Sequence, residues 1–375
     1  MMKKKVIAAG HICLDITPGF PDRKVTDAAQ IFQPGKLIEV GNADVHTGGS
    51  VANTGLAMKI LGADVSLMGK IGNDAFGDMV LQILRKYDAD GRMIRTDESG
   101  TSYSIVLAVP GIDRMFLHNP GANNIFHADD VPEKALDDAV LFHFGYPPLM
   151  ASMYEDGGKE LTALFRRVHK AGVATSLDLA AVDPSSRAGK QDWKGILSET
   201  LPCVDIFTPS IEELCFMLDR ERFDSWQQRA NGRDITTILD PEMDILPLAK
   251  QCMRMGVKIL LLKCGAPGMY CCCADADTLQ QIPAALGIDA EKWGGFAAFE
   301  RSYVPDRILS GTGAGDTSIA AFLTALLDGY SPEDCVHLAA AEGASCITEY
   351  DALSGIRPLD ELKARIDAGW KKTEV

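Results

Sequence analysis

Short apolar runs alternate along this chain with longer stretches in which apolar residues recur every three or four positions. The runs Val6–Ala9, Val65–Met68, Ala139–Phe144, Val173–Leu179, Ile206–Thr208 and Ile259–Lys263 predict strands. The spacing over Val51–Leu61, Phe76–Tyr87, Leu161–Ala171 and Leu246–Met255 predicts helices. Gly62, Gly91, Gly172 and Gly256 are placed to end helices, because glycine takes the left-handed turn that closes one. Ser331-Pro332-Glu333-Asp334 opens another, with a serine cap and proline at the first position. Repeated strand-then-helix order predicts an α/β fold, with a mostly parallel central sheet and helices on both faces.

Two stretches break that rhythm. Residues 16–47 hold Pro18, Pro21 and Pro34 between short extended pieces, and residues 101–118 alternate around the Pro110-Gly111 turn. Neither contains a crossover helix, so together they predict a small antiparallel β lid beside the main sheet. Residues 219–245 and 276–305 are polar and irregular and are read as insertions. No repeat or interdomain linker interrupts residues 1–375, which are read as one domain.

Charge narrows the function. The chain of 375 residues has a formal net charge of −15, and its one basic run, Lys3-Lys4-Lys5, is expected to be a solvated end. Binding a nucleic-acid backbone needs basic stripes, so nucleic acid is excluded as a partner. No apolar run reaches membrane-spanning length. The apolar part of the first residues is too short for a leader and is cut by His11 and Asp15, so a cytoplasmic protein is expected. The ten cysteines form no Cys-x-x-Cys pair. Cys271-Cys272-Cys273 is expected to be strand residues facing alternate sides, and His143 a satisfied strand residue rather than a ligand.

Candidate chemistry gathers at two glycine turns. In Ser310-Gly311-Thr312-Gly313-Ala314-Gly315-Asp316 three glycines alternate before an apolar helix. The first N–H groups of a helix lack partners and carry partial positive charge, so such a turn cradles an anion. Asp316 then stands as a base beside that cradle, although a first-turn aspartate also serves the helix dipole alone. No lysine follows the glycines, which excludes the P-loop, and the third glycine of the dinucleotide fingerprint is replaced by Asp316. The second turn, Gly48-Gly49-Ser50-Val51-Ala52-Asn53, also opens a helix, and the amide of Asn53 suits vicinal hydroxyls. Asp15 and Gly72-Asn73-Asp74-Ala75-Phe76-Gly77 add polar turns, consistent with capping and with a ligand site at strand ends.

These motifs, in this order, resemble the ribokinase-like (PfkB) carbohydrate kinase family from Gly10 to about Thr348. Gly121-Ala122-Asn123 and Lys263-Cys264-Gly265-Ala266-Pro267-Gly268 look like further family segments. The resemblance implies ATP- and Mg2+-dependent phosphorylation of a sugar hydroxyl. It implies Asp316 as catalytic base and Gly313, Ala314 and Gly315 as the anion hole. By the same resemblance Asp15, Gly48, Gly49 and Asn53 hold substrate hydroxyls, and Lys263, Gly265, Gly268 and Thr312 bind nucleotide. The stretches 16–47 and 101–118 match the family's lid. The family's Asn-x-x-Glu is Ser210-Ile211-Glu212-Glu213 here, which keeps Glu213 for magnesium and loses the asparagine. Its Asp-Thr before the glycine turn is Ser310-Gly311, which leaves a monovalent cation (K+) open. The 276–305 insertion is placed to reshape the adenine edge.

Three readings follow: a sugar kinase, a nucleoside kinase of the same fold, and a non-catalytic sugar- or nucleotide-binding protein. A homodimer through exposed lid-strand edges also fits the pattern.

Overall fold

The computed structural model describes residues 4–22, 24–112 and 114–374. In chain order the strands are β1 (Lys5–Gly10), β2 (Cys13–Pro18), β3 (Ala43–Gly48), β4 (Asp64–Met68), β5 (Lys70–Gly72), β6 (Ile94–Thr96) and β7 (Tyr103–Leu107). They continue with β8 (Met115–Asn119), β9 (Ala139–Gly145), β10 (Ala174–Asp178), β11 (Ile206–Phe207), β12 (Ile259–Lys263), β13 (Gly268–Cys273) and β14 (Ala297–Arg301). The main sheet has the order β14-β13-β12-β11-β10-β9-β1-β4. Its strands from β4 to β12 run parallel, and β13 and β14 add an antiparallel edge.

The sheet is buried on both faces, and its strand sequences show why. Val6 and Ala8 of β1 face one core, while Ile7 and Ala9 face the other. Leu261 and Cys271 share the first core, and Leu260, Leu262 and Cys272 the second. Helices such as Ser50–Ile60 and Ala314–Leu327 cover one face, and helices such as Lys159–Lys170 and Ile211–Leu218 the other. The cysteine triplet thus alternates as expected. All ten cysteines are free thiols. Ala314–Leu327 is buried from Asp316 to Leu327 without a break, so it packs on all sides rather than along one stripe.

Residues from the two lid stretches build a separate four-stranded sheet of order β3-β2-β7-β8. Here β2 pairs antiparallel with β3 and parallel with β7, and β7 pairs antiparallel with β8. Arg23 and Asp113, within those stretches, lie outside the described residues.

Several local expectations change. Gly62, Gly172 and Gly256 follow their helices with φ of 101°, 75° and 103°, but Gly91 ends nothing. The helix Ala75–Arg85 stops earlier, and the chain turns at Asp88, with φ 51°. Residues 219–245 are not irregular: Asp219 caps a helix over Arg220–Ala230, and Asn231 closes it at φ 50°. The helix buries only Trp226 and Ala230, so its apolar period is too sparse to see. Residues 276–305 likewise contain β14, an edge strand of the main sheet in which Glu300 is the one buried residue. Lys3 of the basic run lies outside the described residues. Lys4 is not a free end, because its ammonium donates to the Leu286 and Leu327 carbonyls at 2.7 and 2.9 Å. No helix among the described residues is long and apolar enough to cross a membrane.

Candidate active site

The carboxyl ends of the parallel strands converge on one crevice. From β1 the chain builds outward to β4, and from β9 it builds the other way to β12, so the strand order reverses between β1 and β9. Open α/β sheets bind ligands at such a reversal. Gly10 and Gly145 are register partners at the two strand ends. Gly10 has φ 124°, and a Cβ there would fall 2.3 Å from the Gly145 carbonyl oxygen. Glycine therefore lets the two backbones touch. Tyr146, immediately after, enters the crevice with φ 66° and ψ 39°. A large side chain in that left-handed conformation is strained, and surrounding contacts must hold it there.

A cleft of about 320 Å³ lies at these strand ends, lined by Tyr146, Asp178, Glu213, Lys263, Asp316 and the glycines of the 311–315 turn. Asp316, in the first turn of its helix, is 4% exposed. Its Oδ2 accepts from Asn53 Nδ2 at 3.1 Å and from the Tyr146 hydroxyl at 2.8 Å, and its Oδ1 accepts from Thr54 Oγ1 at 3.0 Å. A buried carboxylate is costly unless its lone pairs are met, and three donors meet them here. An ionised carboxylate offers about four acceptor sites, so one site on Oδ1 stays open. Burial, then the neighbouring carboxylates Asp316 and Asp178, push the Tyr146 phenol well above its ordinary range. It therefore stays a donor.

Lys263, at the end of β12, holds Asp178, at the end of β10, at 2.7 Å. Burial and the charges of Glu213 and Asp316 push the Asp178 carboxyl up, against the pull of Lys263. Burial disfavours the charged form of Lys263 too, but Asp178, Glu213 and Asp316 outweigh it and raise its pKa. Glu213 accepts from the Ser210 N–H at 2.8 Å while Ser210 caps the same helix, a reciprocal capping box.

The residues singled out from sequence divide between this cleft and its surroundings. Gly313, Ala314, Gly315 and Asp316 line the cleft with Lys263, Gly265 and Glu213. Thr312 lies between two lining glycines and accepts a hydrogen bond from the Arg114 guanidinium, which reaches over from the second sheet. Gly268 is placed elsewhere: a Cβ there would fall 2.0 Å from the Glu300 carbonyl oxygen, so it serves the β13–β14 pairing. Asp15 and Gly48 lie in the β2–β3 pairing and Gly49 caps the helix that follows, which reaches the cleft's carboxylate through Asn53 and Thr54. Asn53 spends a donor on Asp316. Asn123 clamps the β1–β2 turn, accepting from the Ile12 N–H and donating to its carbonyl. Asp74 caps its own helix and receives the Thr101 N–H and hydroxyl.

Two histidines join the second sheet to the main body. His11 Nε2 lies 3.3 Å from His118 Nε2, and His118 Nδ1 lies 3.1 Å from Ser104 Oγ. Burial, then the charge on His118, pushes His11 down to about 3. His143 is fully buried and bonds Ser176 through Nδ1, but its Nε2 has no partner, so it is only half satisfied. Sequence reasoning missed Thr54, Tyr146, Asp178 and Arg114. Their signals were a threonine one place after Asn53, a strand-ending Gly145-Tyr146-Pro147, an aspartate closing an apolar run, and a lone arginine before β8.

The chain is 25% identical to an Arabidopsis thaliana ribokinase over 326 residues, 84% of this chain and 70% of that protein. The structure of an Arabidopsis thaliana ribokinase complexed with ribose and ATP superposes with a TM-score of 0.68 at 20% identity, covering 97% of this chain and 98% of that one. A putative ribokinase II from E. coli, in complex with ATP and Mg2+, gives 0.67 at 21% identity, covering 97% and 99%. The pfkB family carbohydrate kinase pattern matches residues 12–358. The chain belongs to the pfkB family of carbohydrate kinases and is a phosphotransferase with an alcohol group as acceptor.

Proposed function

We propose that the chain transfers the γ-phosphoryl group of ATP to a sugar hydroxyl, with Asp316 as general base. The observation that carries this reading is Asp316 itself: a buried carboxylate fixed by Asn53, Thr54 and Tyr146, with an acceptor site to spare, beside an open glycine turn. A hydroxyl is a poor nucleophile, and a carboxylate within hydrogen-bond reach takes its proton as the bond to phosphorus forms. The N–H groups of Gly313, Ala314 and Gly315 stand where negative charge grows, at the start of a long helix. Lys263 and Gly265 border the donor side. Asp15, Gly48 and Gly49 border the acceptor side.

Magnesium fits the same cleft. Mg2+ usually takes one or two carboxylates and fills its other positions with water and phosphate oxygens. Glu213 lines the cleft with only one oxygen engaged by Ser210. When bound, the ion would neutralise charge on the phosphates. Potassium is left out of the reading, because Ser310 stands where the family carries an aspartate and its Oγ accepts the Thr312 N–H.

One observation favours a second reading, a nucleoside acceptor. Beside His118 lies a mostly apolar cleft of about 400 Å³, lined by Pro148, Leu149, Tyr154 and Val182, wide enough for a base. Phe116 and Phe20, the aromatics expected to supply such a slot, do not line it. Phe116 is 55% exposed, and Phe20 packs edge-on against Phe32.

The test is ADP release and phosphorylated product over a panel of sugars and nucleosides, with adenosine as competitor. Turnover on a sugar is expected, with Asp316→Asn lowering kcat by roughly 10²–10⁴-fold at little change in binding. No turnover on any acceptor by folded protein, or full turnover by the variant, overturns the assignment.

A further inference from the structure

The segment 219–245, read from sequence as an irregular insertion, returns to the cleft. Its turn Ile235–Ile238 brings Thr236 into the lining, beside Gly265 and Glu212. A Cβ on Gly265 would fall 2.6 Å from Thr236 Oγ1, and Gly265 has φ 65°, so glycine lets the two segments close on each other. The turn is braced from behind. Arg229 donates to both oxygens of Asp244 at 3.3 Å and to the Ile238 carbonyl at 3.2 Å, and the Trp226 indole donates to Asp244 at 2.8 Å. The 276–305 insertion, expected to reshape the adenine edge, instead places Leu286 at the far end of the sheet. Lys4, just before β1, bonds the Leu286 and Leu327 carbonyls together. Leu327 closes the 14-residue helix whose first turn holds Asp316, a length of about 20 Å.

The polarity of this corner says what it can hold. Thr236 is 4% exposed. Its hydroxyl gives its only proton to Asp234 Oδ1 at 2.7 Å, the oxygen that also accepts the Thr236 N–H at 2.8 Å. Toward the cleft that hydroxyl can only accept. Glu212 lines the cleft as a second acceptor, and burial, then the charges of Asp234 and Glu213, raises its carboxyl. An acidic corner of acceptors repels phosphate and suits a group that carries donors. The phosphates belong with Lys263 and the N–H groups of the glycine turn, so the nucleoside end of the nucleotide points to Thr236. Its ribose carries two neighbouring O–H donors, and nucleotide-binding α/β sheets read ribose hydroxyls with an acidic side chain. We propose that Thr236 and Glu212 read the ribose hydroxyls of the donor nucleotide, so that the 219–245 insertion sets donor specificity. This rests on the kinase reading above. The loss of Thr236 is felt in nucleotide binding before it is felt in the chemical step.

The experiment measures, by calorimetry, binding of the magnesium complexes of ADP, 2′-deoxy-ADP, 3′-deoxy-ADP and inosine diphosphate to wild type, Thr236→Val and Thr236→Ser. kcat and KM are measured with the matching triphosphates and the best acceptor of the panel. Wild type is expected to bind ADP about tenfold more tightly than at least one deoxy analogue, the worth of one good hydrogen bond, and to bind the inosine nucleotide within about threefold of ADP. Thr236→Val should bind ADP about tenfold more weakly and lose that preference, with the loss in KM rather than in kcat. Thr236→Ser, which keeps the hydroxyl, should restore the preference. A variant that weakens all four nucleotides equally would mean only a loosened turn and overturns the role of Thr236. So does a wild type that binds ADP and both deoxy analogues alike, a result that needs no variant to fold. Discrimination against the inosine nucleotide alone overturns the ribose assignment, because the contact is then to the base amine. Each of these leaves the kinase reading intact. A wild type that binds no MgADP overturns both, and one that binds it with the expected preference but phosphorylates no acceptor overturns the kinase reading alone.

Discussion

The two glycine turns look alike in sequence and differ in what fills the space beside them. At the first, the protein itself fills it. A Cβ on Gly48 would fall 2.1 Å from Asp15 Oδ2, and one on Gly49 would fall 2.5 Å from both His11 Nδ1 and the His11 carbonyl oxygen. Gly49 also has φ 83° and ψ 164°, a region open essentially to glycine alone. At the second turn, a Cβ on Gly311 would meet nothing within 4 Å, and one on Gly315 only the Lys263 side chain from 3.4 Å outward. Gly313 is the exception, closed by φ 78° and by Ala352 Cβ at 2.2 Å. The first turn is glycine because the fold packs there. The second keeps two glycines where the fold leaves room, and that room is the cleft beside Asp316. One turn is a joint and the other a receptacle, and the joint holds the receptacle's carboxylate through Asn53 and Thr54.

The sharpest way to break this comparison is Gly49→Ala. A methyl group there must displace the His11 backbone and adopt a forbidden dihedral, at a combined cost of roughly 3 kcal/mol or more. The expected outcome is a large loss of thermal stability or no soluble protein, read by calorimetric melting. A variant that melts like wild type would show that the first turn is not a packed joint.

Gly315→Ala probes the receptacle and should give the opposite result. The methyl meets only ordinary contacts, and alanine is favoured over glycine within a helix by about 1 kcal/mol. Stability should hold or rise slightly, while kcat/KM for MgATP falls on the order of tenfold if the methyl enters the space proposed for phosphate, ΔΔG‡ of about 1.4 kcal/mol. Unchanged activity would mean that the open space beside Lys263 is not where the phosphates lie.

How much of this was legible follows from the range of each signal. Apolar runs marked β1, β4, β9, β10 and β12, because a strand buried on both faces is apolar throughout. Both glycine turns and Asp316 were legible, because tight backbone turns restrict residue type locally. Partners were not. Tyr146 meets Asp316 across 170 positions and Thr54 meets it across 262, and neither residue type announces a contact with a carboxylate. Tyr146 even contradicts local rules, since a residue before proline is biased to extended backbone and this one is left-handed. The helix Arg220–Ala230 was hidden by its polarity. Arg114 shows only as one arginine among many until the second sheet folds over the 311–315 turn.

The helices behind the two turns sharpen the contrast in one further respect. Ser50–Ile60 buries no ionisable side chain. The pair behind the second turn, Ala314–Leu327 and Pro332–Cys346, buries Asp316 and Glu342. Asp316 has three donors. Glu342 has the Arg357 N–H at 3.3 Å on one oxygen and no partner on the other. Burial raises its carboxyl to about 8, with the Arg357 charge opposing and Glu361 adding to the rise. An ordinary glutamate in the unfolded chain has already lost its proton above about 4.5. Between 4.5 and 8 the native state therefore binds more protons than the unfolded one, and this group makes stability fall as pH rises. Glu342→Gln removes that dependence, and glutamine still buries a polar group, so the net gain is modest. The variant should melt higher than wild type at pH 8, by about 1 kcal/mol or a few degrees, with the gain shrinking toward pH 5. A gain that is the same at both pH values would show that Glu342 does not titrate in this window, and that the second helix pair buries its carboxyls as cheaply as the first helix buries its alanines.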